Sequence, residues 1–314
     1  MAPLESVPNL SEGRDRDVVD AVAAAFGSAG ARVIDVHIDP DHHRSVVTLV
    51  GDDQALEDGL VAGIDEARRR IDLRLHQGVH PRVGAADVVP VVPLVREDLG
   101  RAVSVARAVA RRAGEELGLP VFLYGELGEG RRPVFFRRGG PEELGRRIAA
   151  AELVPLYGPG RLDPSAGAVL VGVRAPLVAF NLELLGSLED AQAVAAAVRE
   201  SSGGLPGVQA LGLALGDRAQ VSTNLVDIDA TPLHRMVERI AVLAEQRGAR
   251  VGAGELVGLV PADCVVEAAR AAGVSDPVDA EGLPITSALE AAARALHLPD
   301  PLGEDRVLEW HLRG

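Results

Sequence analysis

Residues 71–90, IDLRLHQGVHPRVGAADVVP, gather side chains suited to chemistry: His76 and His80, two arginines and two aspartates. His80 lies between Val79 and Pro81. Proline fixes its own φ and biases the residue before it toward extended backbone. The imidazole therefore projects from a stiff mount, which suits proton transfer. An unperturbed imidazole titrates at about 6.5, so it can give and take a proton near neutrality. His80 is on these grounds the candidate acid–base group of an enzyme. His76, ahead of Gln77 and Gly78, reads as a turn or helix-end residue. Either histidine could instead cap a helix, bond a loop or touch a ligand. The pair has helical i,i+4 spacing for a metal, but Gly78 and Pro81 oppose a helix there and no H-E-x-x-H occurs.

The elements that must hold this stretch follow from periodicity. Gly51-Asp52-Asp53 is expected to open a helix through about Arg70, burying Leu56, Leu60, Val61, Ile64 and Ala67. Val88 to Leu94 has strand-like β-branched density, and Pro90 and Pro93 place it at a sheet edge or strand end. Upstream, Leu4–Pro8 predicts a short strand. Asn9 or Ser11 would cap a helix with the stripe Val18, Val19, Val22, Ala23 and Phe26. Strands at Arg32–Ile38 and Ser45–Val50 flank DPDHHR, bringing Asp39, Asp41, His42, His43 and Arg44 to one hairpin tip. That tip is either a solvated charged turn or a donor patch with an anion-binding arginine facing the His80 loop. Arg96–Leu117 predicts an Ala-rich helix, Val121–Gly125 a strand, and Pro141–Tyr157 another helix.

Tyr157–Gly167, YGPGRLDPSAG, is the longest Gly/Pro-rich segment. It reads as a plain linker or, at a domain junction where clefts form, as a ligand loop with Arg161, Asp163 and Ser165. Ala168–Val173 and Leu177–Leu185 are expected to pair as strands around Arg174-Ala175-Pro176, and Ser187 to cap the next helix. Val208–Leu215 and Ala219–Asp227 predict a hairpin turned by Gly216-Asp217. Gln220, Ser222 and Asn224 share one face of it, as residues lining a cleft would. Thr231-Pro232 opens a helix carrying His234. GAGELVG at 252–258 has the wrong spacing for a dinucleotide glycine motif. A helix at Ser287–Leu296 and a last strand from Arg306 close the chain.

At 314 residues, with 47% hydrophobic and only 3% aromatic residues, the chain must build its cores from Val, Leu, Ile and Ala. The net charge of -14 argues against nucleic acid or an anionic membrane as partner. A small anion remains compatible, because local arginines bind one on an acidic protein. One cysteine, Cys264, in an apolar helical run, permits no internal disulfide and fits a reducing compartment. No signal peptide or membrane-length apolar run is visible, so a cytoplasmic location is expected. Nucleophile elbow, P-loop and cysteine cluster are missing. Hairpin and helix recur loosely at Ile34–Arg68 and Val169–Arg199. The expected fold is α+β: two similar two-layer sandwiches, with mixed sheets facing each other and helices outside.

Taken together, VPNLSEG, DPDHHRSV, the His80 loop, VFLYGE, AFNLELLG and STNLVD resemble the glutamate formiminotransferase family, in order from about Glu5 to Pro261. The resemblance implies transfer of a formimino group from N-formimino-L-glutamate to tetrahydrofolate, a co-substrate, late in histidine breakdown, without a metal. It implies subdomains at 1–173 and 174–314 and a separate cyclodeaminase, since vertebrate members fuse that second enzyme to the transferase; a homodimer is expected, with Ala/Leu-rich helices available for its interface. The family's catalytic histidine, in H-x-G-x-H-P-R-x-G-A-x-D, falls on His80. Its folate-binding stretch falls on Gly158, Pro159, Gly160, Arg161, Leu162, Asp163, Pro164, Ser165, Ala166 and Gly167. Asp39 is the candidate to orient a histidine or stabilise a cationic nitrogen. Arg44, His43, Arg82 and Asn224 are the candidate substrate contacts. Relatives often read H-N-R-T-V in the hairpin, whereas this chain reads HHRSV, with His43 in place of the amide. A related formyl or other one-carbon transferase, or a non-catalytic folate or small-molecule binding protein, are the alternatives.

Overall fold

The computed structural model describes residues 2–78 and 81–313. The chain divides into two compact units, Met1–Ala175 and Pro176–Gly314. The first contains β1 (Leu4–Ser6), β2 (Asn9–Leu10), α1 (Arg16–Gly27), β3 (Arg32–Asp39), β4 (Arg44–Gly51), α2 (Asp53–Arg70), β5 (Ala86–Val92), α3 (Leu99–Glu115), β6 (Val121–Gly125), α4 (Pro133–Arg137), α5 (Gly140–Ala149) and β7 (Val169–Val173). The second contains β8 (Val178–Leu185), α6 (Leu188–Val198), β9 (Val208–Leu215), β10 (Arg218–Leu225), α7 (Leu233–Glu245), β11 (Arg250–Val257), α8 (Ala262–Ala271), α9 (Thr286–Ala295) and α10 (Leu308–Leu312).

In the first unit a seven-stranded sheet runs β3, β4, then β1 and β2 as two pieces of one interrupted strand, then β5, β7 and β6. The β5–β7–β6 part is parallel and the rest antiparallel, so this sheet is mixed. One face buries Val47, Leu49, Val89, Val91, Val169 and Val171 in a core with α1, α2 and α3. On the other face α4 and α5 close a smaller core around Phe122, Phe136, Leu144, Ile148 and Leu170. The helix stripes read from periodicity are buried at Val19, Val22, Ala23 and Phe26 on α1, with Val18 only partly so, and at Leu56, Leu60, Val61, Ile64 and Ala67 on α2.

β5 is not an edge. All its residues are buried and it pairs on both sides. Pro90 is tolerated because the neighbouring strand breaks opposite it: β1 ends at Ser6, paired with Val91, and β2 resumes at Asn9, paired with Val88. The missing N–H thus leaves no ladder acceptor unmatched, and the Pro90 carbonyl accepts from the Ser6 hydroxyl instead. The α1 cap is Asp15, whose carboxylate accepts from the Val18 amide, rather than Asn9 or Ser11. Those two residues lie on or just past β2.

The second unit has a four-stranded sheet, β11-β8-β10-β9, entirely antiparallel. Among the described residues a mixed sheet therefore occurs only in the first unit. β7 and β8 do not pair with each other. β7 is a short run buried on both faces, the signature of an inner parallel strand. β8 alternates, with Val178, Phe180, Leu182 and Leu184 in the core and Ala179, Asn181 and Glu183 on the other face. Ser187 caps α6 in a reciprocal capping box with Asp190. The segment expected as a last strand is a 3-10 turn, Glu304–Arg306, followed by α10. A short apolar run does not distinguish strand from helix. Only Val307 keeps a bridge, to Val260. The two-unit fold is α+β, and no helix among the described residues is long and apolar enough to cross a membrane.

Candidate functional site

Glycine lets the hairpin tip approach its neighbours. A Cβ on Gly13 would lie 2.2 Å from the Asp39 carbonyl oxygen and 2.4 Å from the Arg44 nitrogen. One on Gly78 would lie 2.8 Å from the His42 carbonyl oxygen and 2.9 Å from the His43 Cβ. The β3–β4 turn is thereby seated between the residues after β2 and the segment leading to His80. His43 has φ 50, and its ring stacks on His76 at 4.0 Å between centroids and 21° between planes. His43 Nδ1 faces the Gln77 carbonyl oxygen at 3.0 Å, and Nε2 faces Glu12 Oε1 at 3.0 Å. The same Glu12 oxygen accepts the amides of Gly13, Arg14 and Asp15. Burial works against the Glu12 carboxylate, yet the Asp15 and Arg14 amides and His43 hold it below the usual carboxylate range. His76 Nε2 donates to the His43 carbonyl at 2.9 Å. Burial pushes His76 down to about 4, with Arg82 and His43 adding to the effect, so its ring is neutral at neutral pH.

Leu10, Ser11, His42, His43, Arg44, Arg82 and Asp87 line one small pocket in the first unit. Asp39 stands at its hairpin side, accepting the His42 amide at 2.8 Å, with the His42 ring 3.8 Å away. Asp87 is buried, accepts the Val83 and Gly84 amides at 2.7 and 3.2 Å, and pairs with Arg137. Burial and the neighbouring Arg137 push Arg44 down to about 9, against the pull of Asp87 and Asp39. Two guanidiniums thus crowd one buried carboxylate, an arrangement that favours a further anionic group such as a substrate carboxylate. Arg82 donates to the carbonyls of Gly78 and His76 at 3.1 and 3.2 Å, clasping the loop between them. Nearby, burial pushes Tyr124 up to about 12, and its hydroxyl has no hydrogen-bond partner among the described residues. His80 itself, with Val79, lies outside the described residues.

Gly158–Gly167 is neither a linker nor at the boundary between units, because β7 follows it inside the first unit. Asp163 Oδ1 folds the loop by accepting the Ser165 amide, the Ser165 hydroxyl and the Ala166 amide at 2.7 to 2.9 Å. The loop is hydrogen-bonded to both flanks of the His80 segment. Leu73 donates to the Ser165 carbonyl, Ala85 to the Ala166 carbonyl, and Ala168 to the Val83 carbonyl. Gly167, at φ 73, comes so close that a Cβ would lie 2.0 Å from the Val83 carbonyl oxygen. In the second unit Asn224 is exposed on β10, beside the partly buried Ser222 and the buried Gln220. That sheet face also holds Asn181, which donates to Glu255 at 2.9 Å.

The structure therefore brings Asp39, His43, Arg44 and Arg82 to one locus, with the 158–167 loop bonded to the same His80 segment. Glu12, Asp87 and Arg137 belong to this locus as well; Asp87 is one of the two aspartates of the His80 stretch, whereas Glu12 and Arg137 did not stand out as site residues in the sequence. Glu12 carried a weak signal, an acid before Gly13 and a helix start, where free amides gather. Arg137 carried none.

The profile of the formiminotransferase domain, N-terminal subdomain, matches residues 3–174, and that of the formiminotransferase domain matches residues 179–272. The chain belongs to the formiminotransferase family. It is similar to a glutamate formimidoyltransferase of Streptococcus pyogenes serotype M1, 37% identical over 85% of this chain and 92% of the relative. A glutamate formimidoyltransferase of Thermoplasma acidophilum is 38% identical over 86% of this chain and 92% of its own. The formimidoyltransferase-cyclodeaminase of Rattus norvegicus is 38% identical over 85% of this chain but only 51% of its own length.

Proposed function

We propose that this formiminotransferase-family enzyme is a glutamate formimidoyltransferase. It moves the formimino group of N-formimino-L-glutamate to tetrahydrofolate, giving 5-formiminotetrahydrofolate and L-glutamate in histidine degradation. The carrying observation is the match across both units, together with relatives of that name covered over 92% of their length. Subdomains at 1–173 and 174–314, a cytoplasmic location and a cyclodeaminase as the next enzyme go with this reading.

The chemistry assigns roles to the residues. N5 of tetrahydrofolate attacks the formimino carbon and passes its proton to His80, forming a tetrahedral adduct. The bond from that carbon to the glutamate nitrogen then breaks, its electron pair staying on nitrogen. An amine leaves poorly unless protonated, and His80 is the proton donor proposed for this step. Asp39 orients a histidine or balances the cationic nitrogen. Arg44 and Arg82 hold substrate carboxylates. Gly158–Gly167 binds the folate. The arginine-rich pocket supports the carboxylate role, and the hydrogen bonds between the 158–167 loop and the His80 segment support adjacency of folate and proton donor.

The test is to mix purified protein with N-formimino-L-glutamate and tetrahydrofolate and follow 5-formiminotetrahydrofolate and glutamate together. His80→Ala is expected to cut turnover by about a hundredfold or more while folate binding persists. Full turnover in that variant overturns the proton-donor role. Tetrahydrofolate binding without product overturns the activity, and turnover only with a formyl donor redirects it.

A further inference from the structure

We propose that His43 is a positioning residue, a protonated clip that fastens the segment leading into His80 to the β3–β4 hairpin carrying Asp39 and Arg44. Its catalytic consequence rests on the proposed transferase function; the clip itself does not.

The hydrogen-bond partners dictate the charge. His43 Nδ1 faces a backbone carbonyl, which only accepts. Nε2 faces Glu12 Oε1, which already accepts three backbone amides and is held ionised by them, so it too only accepts. Both ring nitrogens must therefore carry hydrogen, and the ring is an imidazolium. Its flat face lies on the neutral His76 ring, 4.0 Å between centroids. His76 in turn donates Nε2–H to the His43 carbonyl, closing a reciprocal link between residues 43 and 76–77. Gly78 has room for no Cβ between His42, His43 and His76, so the two chain segments touch along their backbones.

The charged and titratable groups around the ring are Glu12 from the turn after β2, His76 and Arg82 from the loop segment, and Asp39, His42 and Arg44 on the hairpin itself. Glu12 is the anion bonded directly to the ring. Removing one ring proton turns either the Gln77 or the Glu12 contact into lone pair against lone pair, and the loop loses a fastening point. The loop that carries the proposed proton donor is thus tied to the arginine that would hold the substrate. Asparagine at this position would accept the same left-handed backbone but supply no cation.

The experiment compares the parent protein with Glu12→Gln and His43→Asn. In the first variant the glutamine side chain keeps an oxygen for the three amides. In the second the asparagine keeps the φ 50 conformation, so both variants are built to fold. Three readouts are taken: nitrogen NMR of the His43 ring, amide hydrogen exchange of residues 72–78, and kcat and KM of transfer. The parent ring is expected to be doubly protonated at neutral pH. Exchange at 72–78 is expected to be about tenfold faster in both variants, with little change elsewhere. In both variants kcat of transfer falls about tenfold while KM for tetrahydrofolate holds. A singly protonated parent ring at neutral pH overturns the proposal. So does unchanged exchange in both variants. If the parent shows no transfer at all, the proposed function fails, and the NMR and exchange results still decide the clip.

Discussion

Arg44 shows how much one side chain's role depends on its neighbours. It sits partly buried at the start of β4, with Arg137 beside it and Asp87 and Asp39 as counter-charges. Replacing Arg44 by Ala removes a guanidinium that can grip a carboxylate at two points. We expect KM for N-formimino-L-glutamate to rise by about 10- to 100-fold with a smaller change in kcat. Lys at this position should recover little, because it offers a point charge rather than a planar fork. Steady-state kinetics over a range of substrate concentrations separates the two parameters. An Arg44→Ala enzyme with unchanged KM would remove this residue from the substrate site.

At the level of elements, the β3–β4 hairpin and the turn after β2 depend on glycine more than on any cap. Gly13→Ala places a methyl within 2.4 Å of backbone atoms at Asp39 and Arg44, which cannot rotate away. A loss of about 1–3 kcal/mol is expected, read by urea denaturation, together with weakened substrate binding because Arg44 shifts. The second unit offers a milder control. Ser187→Ala removes one half of the α6 capping box and should cost about 1 kcal/mol without affecting transfer. Both hairpins, most helix ranges and the buried stripes were legible in the sequence, because they follow from local period and turn chemistry. The position of β5 was not. Pro90 argues for an edge until the break between Ser6 and Asn9 is seen to lie opposite it. The shared site of Glu12 and His43 was likewise hidden, since it joins a turn and a hairpin tip far apart in the chain.

For the molecule as a whole, acid sensitivity should begin earlier than carboxylate titration alone would set it. His76 is neutral in the folded protein and held down to about 4, whereas it is free to protonate near 6.5 once unfolded. Between those values the unfolded chain binds more protons, so stability is full above about pH 6.5 and is lost as pH falls toward 4. Glu12 and Asp163 are held below their ordinary values, so their contribution is present above the ordinary carboxylate range and fades as pH falls through it. Denaturation midpoints measured across this range should show a slope at mildly acidic pH that His76→Gln flattens. A slope confined to the carboxylate range in the parent would show that His76 is not linked to folding.

By itself the sequence determined the α+β class, the hairpins, the candidate residues Asp39, His43, Arg44 and Arg82, and the family resemblance, because these rest on local patterns and on the order of motifs. Only the tertiary structure decided that β7 and β8 belong to different sheets, that the second sheet is antiparallel throughout, and that residues 158–167 are bonded to the His80 segment. It also decided that Glu12, His43 and His76 form one linked group. Strand partners and charge partners are chosen by packing between distant segments, and no local period in a chain records which distant segment that is.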